Sequence, residues 1–377
     1  MALVLTEEQQ ILQQTAREFV SANAPLTHLR ALRDNEDATG FSRDLWKEMA
    51  QLGWAGLIEE ESNGGSGLGH AELGVLFEEC GRTLVPTPFL SSVVLAGGCV
   101  RAGASEPTLR QVLSGVAQGE TLLALALDER PHFDPYAVET RAEKDGAGYR
   151  LTGKKTFVLD GHVADRLVVV ARTSGQAGDR DGLTLFLVDA LSKGVTITRT
   201  KMVDHRNAAR VEFDGVSTDT VLGEIGRGAD ILDPVLDRAT AVLCSEMLGL
   251  MTEAFERTIE YLKTREQFGV KIGTFQALKH RAAAMFAELE LSRSVVLETL
   301  RAIDEGSPDV PTLVAVAKAR CSDAVSLISR EMLQMHGGIG MTDEADIGFF
   351  LKRARVAELT LGDASYHRER FAGLQGY

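Results

Sequence analysis

Cysteine is scarce and scattered in this chain. Its four thiols, Cys80, Cys99, Cys244 and Cys321, form no Cys-x-x-Cys pair, so neither a disulfide framework nor a thiolate zinc site is expected. They read as buried thiols of a protein kept in a reducing cytoplasm. The eight histidines form no cluster at metal-ligand spacing. No apolar run approaches the roughly 20 residues of a membrane span. The start, Met1-Ala-Leu-Val-Leu-Thr-Glu-Glu, has no basic region, so no secretory leader is expected there. Positive charge is in deficit: 40 Lys and Arg against 54 Asp and Glu leave −14, a field that repels phosphate backbones and argues against a nucleic-acid partner. Internal repeats and low-complexity linkers are also missing. What is present is an apolar fraction of 44% over 377 residues, enough for a sizeable core and, at about 150 residues each, two to three domains.

The hydrophobic period divides the chain in three. Residues 1–120 carry helical spacing broken at Gly and Pro. Thr6, with Gln9 three residues on, has the form of a capping box, and Pro86 and Pro88 stop a helix. Over 121–225 the period falls towards two. Short runs at 121–127, 148–152, 166–172, 183–189, 195–199 and 210–213 are separated by turn signals such as Asp145-Gly146 and Asp181-Gly182. Strands with no room for crossover helices predict an antiparallel sheet or barrel rather than a parallel dinucleotide fold. From 226 to 377 the spacing is helical again. Leu243, Met247, Leu250 and Ala254 recur at three or four, as do Val314, Ala317, Cys321, Ala324, Ile328 and Met332. Pro311 suits a first turn and Gly337 a helix stop. The expected fold is α+β: an N-terminal helical domain, a central antiparallel β-domain and a C-terminal four-helix bundle.

Three segments carry candidate chemistry. Gly64-Gly65-Ser66-Gly67-Leu68-Gly69 lacks the third glycine position of a dinucleotide loop, where His70 stands, and follows no strand; it reads as a structural loop. The segment from Arg265 to Gln276 joins two long helices. It sets an arginine able to grip a phosphate bidentately beside Gln267, Gln276, Phe268 and Phe275. Its aromatics can stack on a flat ring, and it can equally be an ordinary helix–helix loop. In Gln334-Met-His336-Gly337-Gly338, the glycines either let a ligand approach the backbone or simply end a helix.

The last two of these segments, 265–276 and 334–338, in that order, resemble the acyl-CoA dehydrogenase family, and the resemblance spans essentially the whole chain. Leu52-Gly53-Trp54-Ala55-Gly56-Leu57, Glu78-Glu79-Cys80-Gly81-Arg82 and Gly153-Lys154-Lys155 fit it as well. The resemblance implies an FAD enzyme that converts an acyl-CoA thioester to its 2-enoyl-CoA and passes electrons to an electron-transfer flavoprotein. It implies subunits paired so that Arg265, Gln267, Phe268, Gln276, Gln334, Gly337 and Gly338 contribute to cofactor binding, with Arg265 and Phe268 reaching the pyrophosphate and adenine of a partner's FAD and Gln334 to Gly338 facing that FAD in the same way. A homo- or heterotetramer built from dimers is expected, with no metal.

The sequence also departs from the family. Its flavin-contacting T-E-P-x-x-G-S stretch reads Asp128-Glu129-Arg130-Pro131-His132-Phe133, and W-I-T-N-G reads Phe157-Val158-Leu159-Asp160-Gly161. The catalytic glutamate's usual place holds Leu361, and its alternative helical place holds Ala239. Two carboxylates remain as candidate bases. Asp363 lies two residues past the usual place in what is expected to be a flexible loop. Glu246 lies two turns past Ala239 among Val242, Leu243, Gly249 and Leu250, where desolvation would raise its pKa. Their plainer roles are a helix cap and a salt bridge. The ending resembles bacterial members acting on dicarboxylyl or sterol side-chain thioesters, some of them heteromers in which one chain alone holds the base. The expected function is therefore acyl-CoA dehydrogenation, with a base-lacking subunit as the alternative. A nitroalkane-oxidising relative with an aspartate base is the remote third.

Overall fold

The computed structural model describes residues 4–377, so the first three residues of the start read above lie outside it. The chain gathers into two compact units that do not follow chain order. One comprises the residues up to Ala31 with His70–Val85 and Thr240–Tyr377; the other comprises Leu32–Gly69 and Pro86–Ala239.

Among the described residues six α-helices precede the strands: α1 (Glu7–Asn23), α2 (Leu26–Asp34), α3 (Arg43–Gln51), α4 (His70–Thr83), α5 (Gly97–Gly103) and α6 (Glu106–Ala117). The Thr6 hydroxyl accepts from Gln9 N at 3.2 Å while the Gln9 side chain accepts from Thr6 N at 3.0 Å, the reciprocal capping box expected for α1. After Pro88 the segment Phe89–Ala96 winds as a π-helix, buried throughout, a rare geometry enriched at functional sites.

Among the described residues eight strands form one sheet. They are β1 (Leu123–Ala126), β2 (Arg141–Asp145), β3 (Gly148–Leu159), β4 (Arg166–Arg172), β5 (Leu183–Asp189), β6 (Val195–Lys201), β7 (Asn207–Thr218) and β8 (Val221–Leu222). The order is β6-β7-β3-β2-β4-β5-β8, with β1 also on β4. The pairing is antiparallel except where β1 runs parallel to β4, Leu123 opposite Arg166, and where β2 meets β4 at Arg141 and Arg172. β4 and β5 are buried along almost their whole length, which is why they read as unbroken apolar runs. β6 alternates between covered and exposed positions, as a strand with one wet face does. Leu151, Val158, Leu167, Val169, Phe186, Val211 and Phe213 close the core of this unit.

The other unit is helical. The helix α7 (Ala229–Thr264) is 36 residues long and carries Pro234 near its start. A short hairpin of β9 (Glu266–Gln267) and β10 (Val270–Lys271) follows. Then come α8 (Gln276–Asp304), α9 (Val310–His336), α10 (Ile347–Leu359) and α11 (Ala364–Leu374). All six α9 stripe residues named above are buried, and α8, α10 and α11 all pack on α9. Pro311 lies in the first turn of α9, and Gly337 ends it with φ +61°. Helices α4 and α7 cross almost backbone to backbone: a Cβ on Gly249 would stand 1.8 Å from Glu78 O, and one on Gly81 would stand 2.2 Å from Glu246 O.

Candidate functional site

In the sheet unit the two departing stretches lie side by side. Strand β3 is bulged between Lys155 and Val158, which pair with Val211 and Ala209. One extra residue thus breaks the ladder, and Phe157 takes φ +51°. The bulge turns Thr156 N away from β7, and it donates to Asp128 O at 2.7 Å. Just before it, Lys155 Nζ donates to Leu127 O at 3.0 Å and to Glu129 Oε1 at 2.7 Å, with the ammonium side chain sealed from water. Glu129 also accepts from Glu139 N and Thr140 N. Burial alone would raise the Glu129 pKa, but Lys155 and these bonds hold it below the usual carboxylate range. Asp128 is different. Its Oδ1 is buried with no hydrogen-bond partner, and burial pushes its carboxyl up to about 6 against the pull of Lys155. The Phe157 ring is exposed nearby in sequence, and Leu159 leaves no hydroxyl in this stretch.

In the helical unit the arginine and glycine segments come together. The Tyr261 ring stacks on His336 with centroids 4.3 Å apart, and its hydroxyl donates to His336 O. Arg265 N in turn donates to Tyr261 O at 2.9 Å. His336 Nδ1 lies 2.7 Å from Met332 O, so that nitrogen donates; burial lowers the ring's pKa and leaves it neutral. Around this joint Arg265, Gln267, Gln276, Gln334, Gly337 and Gly338 are all exposed, and Phe268 is 90% exposed. The Arg265 side chain has no protein partner among the described residues, and a Cβ at Gly337 or Gly338 would meet nothing within 4 Å.

The two candidate bases are both engaged. Glu246, which the sequence places on an apolar helix face, receives Arg353 Nε at 2.9 Å and Arg353 Nη2 at 3.0 Å on its two oxygens. Its surroundings are therefore those of a structural ion pair, not of a lone desolvated acid. Asp363 caps α11, its Oδ1 accepting from Tyr366 N at 3.0 Å. The loop around it is not loose, contrary to expectation. The buried Lys318 ammonium donates to Glu358 O at 2.8 Å and Gly362 O at 2.6 Å, and His367 Nε2 donates to Leu361 O at 2.8 Å. Burial pulls Lys318 down to about 8 and His367 down to about 4. Leu361 itself is buried with φ +58°. Sequence reasoning did not find Arg353, Lys318 or the Lys155–Glu129 pair. A charged residue at an apolar position of a periodic stripe was the available signal for each.

Comparison with known proteins gives the family. Profiles of the acyl-CoA dehydrogenase N-terminal, middle and C-terminal domains match residues 6–120, 128–216 and 226–373. The mitochondrial isovaleryl-CoA dehydrogenase of Pongo abelii is 31% identical over 97% of this chain and 88% of its own. The caffeyl-CoA reductase-Etf complex subunit CarC of Acetobacterium woodii is 27% identical over 99% of each. The solved ChsE4-ChsE5 complex of Mycobacterium tuberculosis superposes with a TM-score of 0.90 over 100% of each chain at 28% identity. The chain belongs to the acyl-CoA dehydrogenase family, a class of FAD-dependent oxidoreductases.

The residues present fit FAD. In the helical unit a free guanidinium, an exposed aromatic ring and two glycines with open space suit a dinucleotide; in the sheet unit, taken by itself, the orphaned Asp128 oxygen suits a polar ring edge. Among the described residues no group of side chains could hold a metal ion, and no helix is long and apolar enough to cross a membrane.

Proposed function

We propose that this chain carries out FAD-dependent α,β-dehydrogenation of an acyl-CoA thioester to the 2-enoyl-CoA in the cytoplasm, with electrons leaving to an electron-transfer flavoprotein. The observation that carries the reading is the Thr156–Asp128 hydrogen bond, which ties the first of the two stretches that the family resemblance assigns to flavin contact to the residue just before the second. When bound, FAD supplies the hydride acceptor. The chain's residues would bind and orient it: Arg265 of one subunit would hold the pyrophosphate of its partner's FAD, Phe268 would cover the adenine, and Gln267, Gln276, Gln334 and the Gly337–Gly338 backbone would complete the cradle. The α-proton goes to Asp363, whose Oδ2 is not spent on the cap. The name of the CarC relative, a subunit of an Etf complex, supports the electron acceptor.

A second reading, a base-lacking subunit of a heterotetramer, is favoured by one observation: Leu361 fills the base position and Glu246 is held by Arg353. The ChsE4-ChsE5 neighbour, solved as a complex of two named chains, fits it.

The test is expression of the chain alone, measurement of its flavin absorbance, and anaerobic bleaching with a panel of acyl-CoAs. Bleaching by wild type supports the complete enzyme. Bleaching only after a paired homologous chain is added supports the subunit, and a flavin-free protein in both preparations overturns both readings.

A further inference from the structure

Asp128 is an unusual carboxyl. Its backbone is pinned on both sides, by Thr156 N on its own carbonyl and by Lys155 bridging Leu127 O and Glu129 Oε1. The main chain is held in place here, and Oδ1 is buried without a partner. A buried acceptor left unmade costs on the order of 1–3 kcal/mol, so the position suits a group that is met by a ligand. Lys155 is the charged group that pulls this carboxyl down against burial. Lys155 is itself faced by Glu129 and Arg172, and Arg172 spends its guanidinium on the carbonyls of Tyr136, Val138, Asp179 and Asp181. The positive charge near Asp128 is thus already committed to Glu129, which is why burial wins and the carboxyl titrates near 6.

We infer that Asp128 faces the flavin of the proposed site and takes up a proton from solvent when that flavin is reduced, so that reduction is coupled to two protons and not one. This rests on the flavin reading above. Hydride transfer brings the flavin two electrons and one proton and leaves it anionic. The second proton comes from water and forms an O–H bond on Asp128. Nothing else is oxidised or reduced. A carboxylate beside a new negative charge is driven to its neutral form, and the neutral carboxyl then donates a hydrogen bond to the charged ring edge.

The test is the flavin midpoint potential of the holoenzyme against pH, measured spectroelectrochemically above the carboxyl's titration near 6. Wild type is expected to show twice the slope of Asp128→Asn, two protons per electron pair against one. Equal slopes overturn the inference, as does a wild-type slope of one proton, which needs no variant. If the Asn variant fails to hold FAD, Asp128→Thr, which restores the hydroxyl of the family's stretch, takes its place and is expected to give the single-proton slope. A wild type that binds no flavin overturns the functional reading itself, whereas a flavin-bearing one with a single-proton slope overturns this inference alone.

Discussion

Arg353 grips Glu246 through two nitrogens at 2.9 and 3.0 Å, and the two side chains are only 7% and 5% exposed. The pair joins α10 to α7 far from either helix end. Removing one partner leaves an uncompensated buried charge, which costs about 3–5 kcal/mol. Glu246→Gln is therefore expected to lose stability of that order in urea denaturation, and Glu246→Leu with Arg353→Met to recover most of it. If Glu246→Gln melted like wild type and instead lost flavin bleaching, Glu246 would be the base after all.

Asp363→Asn keeps the oxygen that accepts from Tyr366 N, so its melting temperature should not move, whereas Asp363→Ala should lose about 1 kcal/mol as an uncapped helix. As the base of a complete enzyme, Asp363→Asn should bleach several orders of magnitude more slowly with full FAD. A wild-type bleaching rate in that variant removes Asp363 from the reaction.

Among the described residues the Arg265 side chain has no protein partner to lose. Arg265→Ala should melt normally and hold FAD less well, by about 1.5–3 kcal/mol for one charge-assisted contact, or about 10- to 150-fold in Kd. Added salt should weaken the wild type towards the variant. Undiminished FAD content in Arg265→Ala excludes its role on the pyrophosphate.

Asp128 gives a pH-dependent stability of definite sign. Its folded pKa, about 6, lies above the ordinary value of 3.8. Its contribution is therefore favourable below 3.8 and is lost as pH rises through 6, leaving a penalty of roughly 3 kcal/mol above it. Thermal melts of FAD-free wild type and Asp128→Asn should show a difference that grows in the variant's favour from pH 4 to above 6. A difference independent of pH would mean that the carboxyl is not buried as described.

The parts of the fold that the sequence made legible are those whose period is simple. The runs read at 166–172 and 183–189 are β4 and β5 to the residue, because strands buried on both faces need unbroken apolar sequence. The α9 stripe and the Thr6 cap were equally plain. Strand β2 was not visible, since Arg141–Asp145 is exposed at every position but Ala142. Strand β3 runs well past the stretch read at 148–152, because its bulge interrupts the alternation that would have marked it. At the site, the residue types of the 265–276 and 334–338 segments could be read, but their union through Tyr261 and His336 could not, since 75 residues separate the two. The fate of Glu246 depended on an arginine 107 residues away; the stripe of α10 marks Arg353 as a charge at an apolar position, but nothing local says which carboxylate it meets.

The division of the chain into two interleaved units has a consequence during synthesis. The sheet unit is fully made once Ala239 has left the ribosome, but the helical unit draws on residues as late as Tyr377. Helix α4 packs on α1 and α8, so α1 and α4 emerge early and wait for α8. At about 5–20 residues per second, that wait is on the order of ten to forty seconds. The β core is free to fold on the ribosome while the first helices keep uncovered apolar stripes, a stretch of time in which a chaperone has something to hold. A message cut short after the sheet would release a folded core trailing adhesive helices, so quality control of this protein falls on its last third.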